Sequence, residues 1–194
     1  APNFASLVTG IREIAPSVRL SSAHFPRQEM PQLLADGRLD LAIDVAHTER
    51  AGLNRELLRQ DQFVVAARKG HPDIDGAISL ETYLAQEHVF ASPRSTGLGH
   101  EDAALAKLGK ERAIAVRCQN AMSAWQIVSR TDMILTLSRR YADTFQGFED
   151  LQVLPLPLEI PLAEAFMYWH EASESDPGLI WLREQIRNGM MAQS

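Results

Sequence analysis

A chain of 194 residues, 45% hydrophobic and 23% charged, can build an ordinary globular core as one domain or as two small lobes. Its formal net charge of −6, from 25 acidic against 19 basic residues, argues against this chain itself gripping nucleic acid, which needs a basic face. The single cysteine, Cys118, excludes an intrachain disulfide and makes a reducing compartment, such as the cytoplasm, the easier reading, though a mature periplasmic protein fits too; no apolar run is long enough to cross a bilayer.

The first element is a helix. Phe4, Leu7, Val8, Ile11 and Ile14 recur at helical spacing, with Pro2 suited to the first turn. Pro16 ends it, and Val18 to Ala23 reads as a strand. An α/β sheet usually opens on a strand, so the helical start leads us to expect that the first strand of this lobe is missing from the chain. Glu29 to Leu34 reads as a helix stopped by Asp36-Gly37, with Pro31 tolerable near its first turn. Leu39 to Val45 reads as a strand interrupted by Asp40 and Asp44, Leu53 to Gln60 as a strand or loop, and Phe63 to Ala67 as a clear strand. Arg68-Lys-Gly-His-Pro72 then breaks the pattern.

A second round of alternation follows. Leu80 to Gln86 predicts a helix, His88 to Ser92 a strand, and Glu101 to Leu108 a helix closed by Gly109. Ala113 to Arg117, Met133 to Leu137 and Leu151 to Pro155 predict strands, with helices over Ala121 to Ser129 and Arg139 to Phe145. Pro155, Pro157 and Pro161 punctuate an extended segment. The chain closes on a strand, Ala165 to His170, and a helix, Pro177 to Met191, for which Asp176 is a natural N-cap. Strands alternating with helices imply an α/β fold with a parallel sheet covered on both faces. Two rounds joined at 68–72 and 155–161 predict two Rossmann-like lobes linked by two crossover segments: 1–68 with 162–194, and 69–161.

The most informative stretches are Met133-Ile-Leu-Thr-Leu-Ser-Arg-Arg-Tyr-Ala142 and Phe166-Met-Tyr-Trp-His170. With Gly37-Arg-Leu-Asp-Leu-Ala-Ile43, Val64 to Pro72, Glu87-His-Val89, Thr131-Asp132, Asp176-Pro177 and Trp181-Leu-Arg183, they form an ordered set over nearly the whole chain. That set resembles the effector-binding half of a LysR-type transcriptional regulator. Thr131-Asp132 and Trp169-His170 look closest to the branch holding regulators of salicylate and nitroaromatic degradation and the nodulation regulators. The resemblance implies a type 2 periplasmic-binding-protein-like fold, with a small-molecule effector held between two lobes. It also implies side-by-side homo-oligomers, with the helices Phe4 to Ile14 and Glu101 to Leu108 as contact faces. The family reads DNA through a helix-turn-helix domain absent from these residues.

The candidate ligand-binding residues are His24, Phe25, Ser92, Arg94, Thr96, Gln119, Asn120 and Thr136. The segment Ser92-Pro-Arg-Ser-Thr-Gly-Leu-Gly99 joins a strand to a helix, so backbone N–H groups and the helix dipole can receive an anion. Ser92 and Thr96 add hydroxyls, and Arg94 could pair a carboxylate with two hydrogen bonds. The other reading is an ordinary capped turn with Arg94 on the surface. Gln119-Asn120 ends one strand and precedes a helix, and the resemblance places Asn120 where relatives present a side chain to effector. The other reading is the helix cap, and the two are compatible. Phe25 could stack on a ring and His24 bond a carboxylate, or Phe25 could pack against its own lobe. Thr136 comes near the cleft by resemblance, or is a satisfied strand threonine. His170 reads as a structural hydrogen-bonder and His71 as part of a turn. Where relatives carry a histidine in the loop before His100, this chain has Leu98.

An enzyme is disfavoured. The Gly-x-Ser-x-Gly elbow is absent, and the six histidines show no His-x-x-x-His or Cys-x-x-Cys spacing, so neither cofactor nor metal is implied. Cys118 reads as a small hydrophobe. The expected function is sensing a small aromatic or carboxylated metabolite for an attached DNA-binding domain. The alternative is a periplasmic solute-binding protein serving a transporter, which shares the fold.

Overall fold

The computed structural model describes residues 4–46, 51–92 and 97–191. In chain order its elements are α1 (Phe4–Ile14), α2 (Met30–Ala35), β1 (Ala42–Asp44), β2 (Leu53–Asp61), β3 (Phe63–Arg68), α3 (Leu80–Ala85) and β4 (Glu87–Ala91). There follow α4 (His100–Lys107), β5 (Ala113–Cys118), α5 (Ala121–Ser129), β6 (Ile134–Ser138), α6 (Arg139–Phe145), β7 (Leu151–Pro155), β8 (Ala163–His170) and α7 (Pro177–Met191). The chain divides into two compact units, Ala1–Gln60 with Glu164–Ser194, and Asp61–Ala163.

The first unit holds a three-stranded sheet in the order β1-β8-β2, with β1 antiparallel to β8 and Ala42 opposite Tyr168. Alternate residues of β8 serve two cores. Met167 and Trp169 pack with Ile186 of α7, Leu7 of α1 and Leu58 of β2. Tyr168 packs with Met30 and Leu34 of α2. The strand expected over Val18 to Ala23 is not formed: these residues carry no strand, and Ser21 to His24 are exposed. Only Val18 and Leu20 supply an apolar side of the alternation there, too little to hold an extended segment on a sheet. The strand expected from Leu39 shrinks to Ala42–Asp44 because the N–H groups of Arg38 and Leu39 are bonded to the Leu33 carbonyl, at 2.9 and 3.0 Å, in closing α2.

The second unit holds a five-stranded sheet, β5-β4-β6-β3-β7. Strands β5, β4 and β6 run parallel, but β3 lies antiparallel to both β6 and β7, so the sheet is mixed rather than wholly parallel. Strand β3, expected to end the first lobe, is hydrogen-bonded in the middle of this second sheet. Its apolar run is read by both faces, as befits a strand covered on each side. Val64 and Ala66 join Leu135, Leu137, Trp125 and Phe145 under α5 and α6. Val65 and Ala67 join Ile134, Tyr83, Leu105 and Leu154 under α3 and α4. Trp125, Tyr83 and Leu105 are fully buried. Each such side chain contributes roughly 2–3 kcal/mol of transfer free energy before chain entropy is counted.

Candidate functional site

Parallel strands end their carbonyls and begin their helices at the same edge of a sheet. Here β4 and β5 finish level, Ala91 opposite Cys118, and the next residue of one is bonded to the last of the other: Ser92 N–H donates to the Cys118 carbonyl at 2.9 Å. Helix α4 leaves this edge after Gly99 and helix α5 after Asn120. Two helix N-termini therefore meet Ser92, Gln119 and Asn120 at one strand-end edge, the place where open α/β sheets take ligands.

The two helix ends differ electrically. The first turn of α4 carries Glu101 and Asp102, so its positive end is already answered by carboxylates. The first turn of α5 carries no acidic residue. Asn120 Oδ1 accepts from the N–H groups of Met122 and Ser123 at 2.9 and 3.1 Å. Its Nδ2 makes no hydrogen bond among the described residues, and the residue is exposed, as is Gln119. Asn120 is thus a helix cap that keeps a donor for a further partner. Ser92 is buried at the foot of the same edge.

Thr136 lies deeper. Its hydroxyl is 2.8 Å from the Tyr83 hydroxyl in a buried pair, on the α3 and α4 side of the sheet. Arg94 and Thr96 lie outside the described residues. His24 and Phe25 belong to the first unit, His24 exposed and Phe25 half-buried. Two residues on, Arg27 makes a two-pronged pair with Asp44 at the end of β1, at 2.6 and 2.8 Å.

The sequence reading did not anticipate a buried charge cluster beneath the edge. The Arg112 guanidinium, with no exposed side-chain surface, reaches Asp102 Oδ1 at 2.6 Å and Glu101 Oε1 at 2.8 Å. Burial would raise the Asp102 pKa, but the hydrogen bonds from Arg112 and the Gly99 N–H outweigh it and hold the carboxyl below its usual range. Burial likewise pulls Arg112 down, and its bond to Asp102 together with the charges of Glu101 and Asp102 more than restores it. Beside them His88, fully buried, donates from Nε2 to the Tyr83 carbonyl at 2.9 Å with its ring edge-on to Tyr83. Burial first, and Arg112's charge second, push its pKa from the usual 6.5 to about 4, so the ring is neutral at pH 7. Burial also raises the Tyr83 phenol. Arg112 sits in Lys110-Glu111-Arg112, a run that reads as a solvated turn, and nothing local announces its partners ten residues back.

The remaining candidates are structural. His71 bonds the Asp132 carbonyl at 2.8 Å and accepts from the Asp73 N–H. His170 accepts from the Ala172 N–H at 3.2 Å, capping the short 3-10 turn. Cys118 is half-buried against the α5 core, and burial raises its thiol pKa. Among the described residues no three His, Cys, Asp or Glu side chains gather as for a metal ion, and no helix is long and apolar enough to cross a membrane.

This is an α/β protein of two units whose second carries a strand-end edge where two helices begin. The chain belongs to the LysR substrate binding domain family, which it matches over residues 3–191. It is 29% identical over 170 residues to the HTH-type transcriptional activator NahR of Pseudomonas putida, covering 88% of this chain and 57% of that protein. Over 154 residues it is 30% identical to the HTH-type transcriptional regulator SyrM 1 of Sinorhizobium fredii, covering 79% of this chain and 46% of that one. The chain thus spans about half the length of these curated relatives. Among solved structures, a transcriptional regulator of Pseudomonas aeruginosa superposes with a TM-score of 0.85 at 29% identity, over 94% of this chain and 61% of its own. The effector binding domain of BenM, solved with its effector benzoate, superposes with a TM-score of 0.76 at 19% identity, over 98% of this chain and 86% of its own. The fold is that of LysR effector-binding domains, periplasmic-binding-protein-like, and the named relatives are transcriptional regulators.

Proposed function

We propose that this chain senses a small aromatic or otherwise carboxylated effector and passes its occupancy to an attached helix-turn-helix domain in a LysR-type regulator. The observation that carries the effector reading is the strand-end edge. There an α5 N-terminus without acidic residues, capped by Asn120 with Nδ2 to spare, stands beside Ser92. A carboxylate accepts hydrogen bonds and is favoured at such a helix end by about 0.3–1 kcal/mol before direct contacts are counted. Gln119 adds a side chain that both donates and accepts. The benzoate bound by BenM is an acid of the proposed class. The effector can bias the regulator only by its difference in affinity between the regulator's states.

The regulator works in the cytoplasm as a homo-oligomer. On α1 and just past α4, Ile14 and Leu108 are 60% and 55% exposed, apolar surface of the kind a second copy covers. The test of the effector reading is a thermal-shift screen of small carboxylates, salicylate and benzoate included, followed by calorimetry on the hits. A concentration-dependent rise in Tm for aromatic acids and none for matched neutral amides is expected. Equal shifts from acids and amides would refute the anionic effector.

A further inference from the structure

We infer that Arg112 and Arg117 are positioning residues for Gly97 to Gly99, the lead into α4, and through it for effector affinity; the second half rests on the effector reading above. The last two residues of β5 hold Ser92 and Gly97. Ser92 N–H donates to the Cys118 carbonyl at 2.9 Å. Arg117 Nη1 donates to the Gly97 carbonyl at 3.0 Å. A second hold reaches the lead at Gly99: Asp102 Oδ2 accepts from the Gly99 N–H at 2.6 Å, and Asp102 is itself gripped by the Arg112 fork at 2.6 and 3.1 Å.

The lead into α4 is tightly constrained at Gly97 and Gly99. Gly97 has φ 105°, a conformation that side-chain-bearing residues rarely adopt. A Cβ on Gly99 would stand 2.6 Å from a Glu101 carboxylate oxygen and 2.9 Å from the Phe90 ring. Phe90 is also where the two arginines meet, with the Arg112 and Arg117 guanidinium carbons 5.3 and 4.8 Å from its ring centre. Two of these bonds end on the backbone of residues 97 and 99 and not on core side chains. Loss of the Arg117 bond therefore frees Gly97 while the sheet keeps its packing. Arginine is required at 112 because one planar fork spans both carboxylate oxygens, which a lysine ammonium does not.

The test uses Arg117→Met, Arg117→Lys and Asp102→Asn alongside Arg112→Lys; Arg117 is exposed, so its variants fold whatever becomes of the buried one. Amide exchange without ligand reads the positioning directly. In Arg117→Met the amides from Gly97 to Ala103 are expected to exchange about tenfold faster with those of β3 and β6 unchanged, and in Asp102→Asn they accelerate beyond the general rise that loss of a buried charge partner brings. Unchanged exchange at Gly97 to Ala103, or acceleration spread over the whole sheet in Arg117→Met, overturns the inference. Calorimetry with sodium salicylate reads the consequence. Both variants weaken binding about three- to tenfold; Arg117→Met does so with Tm nearly constant, Asp102→Asn with a lowered Tm because it strips a buried charge partner from Arg112, and Arg117→Lys recovers part of the Arg117→Met loss. Wild-type affinity in Arg117→Met and Asp102→Asn overturns the link to effector. A wild-type chain that binds neither salicylate nor benzoate refutes the proposed effector class alone, and the exchange result then decides the tethers by itself.

Discussion

Replacing Asn120 by alanine and, separately, by aspartate divides its two roles. Alanine removes the Oδ1 that accepts from Met122 and Ser123, leaving two N–H groups of the first α5 turn to solvent. Loss of such a cap costs about 1 kcal/mol. If the second unit melts by itself that lowers its Tm by about 4–8 °C, and by about half as much if the chain melts as one. Aspartate restores the acceptor and sets a negative charge at a helix N-terminus, which returns the lost stability and adds about 0.3–1 kcal/mol. For an anionic effector the charge acts in the opposite sense. A carboxylate about 6 Å from the new charge, at an effective dielectric of about 40 for an open edge, is repelled by about 1.4 kcal/mol, a tenfold loss of affinity. Urea unfolding reports the first effect and calorimetric titration with salicylate the second. Expected are a less stable Asn120→Ala chain with modestly weakened binding, and a stable Asn120→Asp chain that binds about ten times more weakly. If both bind as wild type, Asn120 is a cap and nothing more; if the aspartate variant binds more tightly, the effector is not an anion.

His88 gives the chain a pH dependence of defined sign. Its folded pKa, near 4, lies below the unfolded 6.5, so the unfolded chain holds the extra proton between them. Stability is complete above about pH 6.5 and falls by up to about 3 kcal/mol as the pH drops towards 4, a slope that urea midpoints will follow and that His88→Gln flattens. Thr136→Val removes the buried partner of the Tyr83 hydroxyl and is expected to destabilise by about 1–2 kcal/mol while salicylate affinity stays within twofold; a large binding loss at unchanged stability would instead put Thr136 at the ligand. Light scattering of the purified chain is expected to show more than a monomer at high concentration, with Ile14→Asp and Leu108→Asp shifting it towards monomer, and a wild-type monomer throughout would remove those two residues from any interface.

Periodicity made most elements legible, and only them. Phe4–Ile14, Ala121–Ser129, Arg139–Phe145, Leu151–Pro155 and Pro177–Met191 stand where their patterns and caps place them. Strand direction was not legible. Val64 to Ala67 reads the same whether its neighbours run parallel or antiparallel, because a strand covered on both faces is apolar in every register, and only the pairing with Leu137 and Leu154 settles it. The same blindness hid that β3 is hydrogen-bonded in the middle of the five-stranded sheet. Val18 to Ala23, with only Val18 and Leu20 carrying its alternation, forms no strand.

At the site, local chemistry was visible and distant chemistry was not. Asn120 announces itself as both cap and donor because its partners are two and three residues on. Thr136 carries no such signal: its partner hydroxyl is 53 positions away, so a satisfied core threonine and a ligand contact look alike in one dimension. Arg112 is the clearer case. One cation buried with two carboxylates is unfavourable unless every oxygen is matched, and half-matched clusters lose more than apolar ones of the same shape. Such a cluster, holding Gly99 through Asp102 at the start of α4, makes sense if the position of that start matters more than the stability forgone. An apolar replacement of all three residues discriminates: a purely structural cluster would tolerate it with little change in ligand affinity, whereas a positioning cluster would yield a stable fold with a slack Gly97 to Ala103 and weakened salicylate binding.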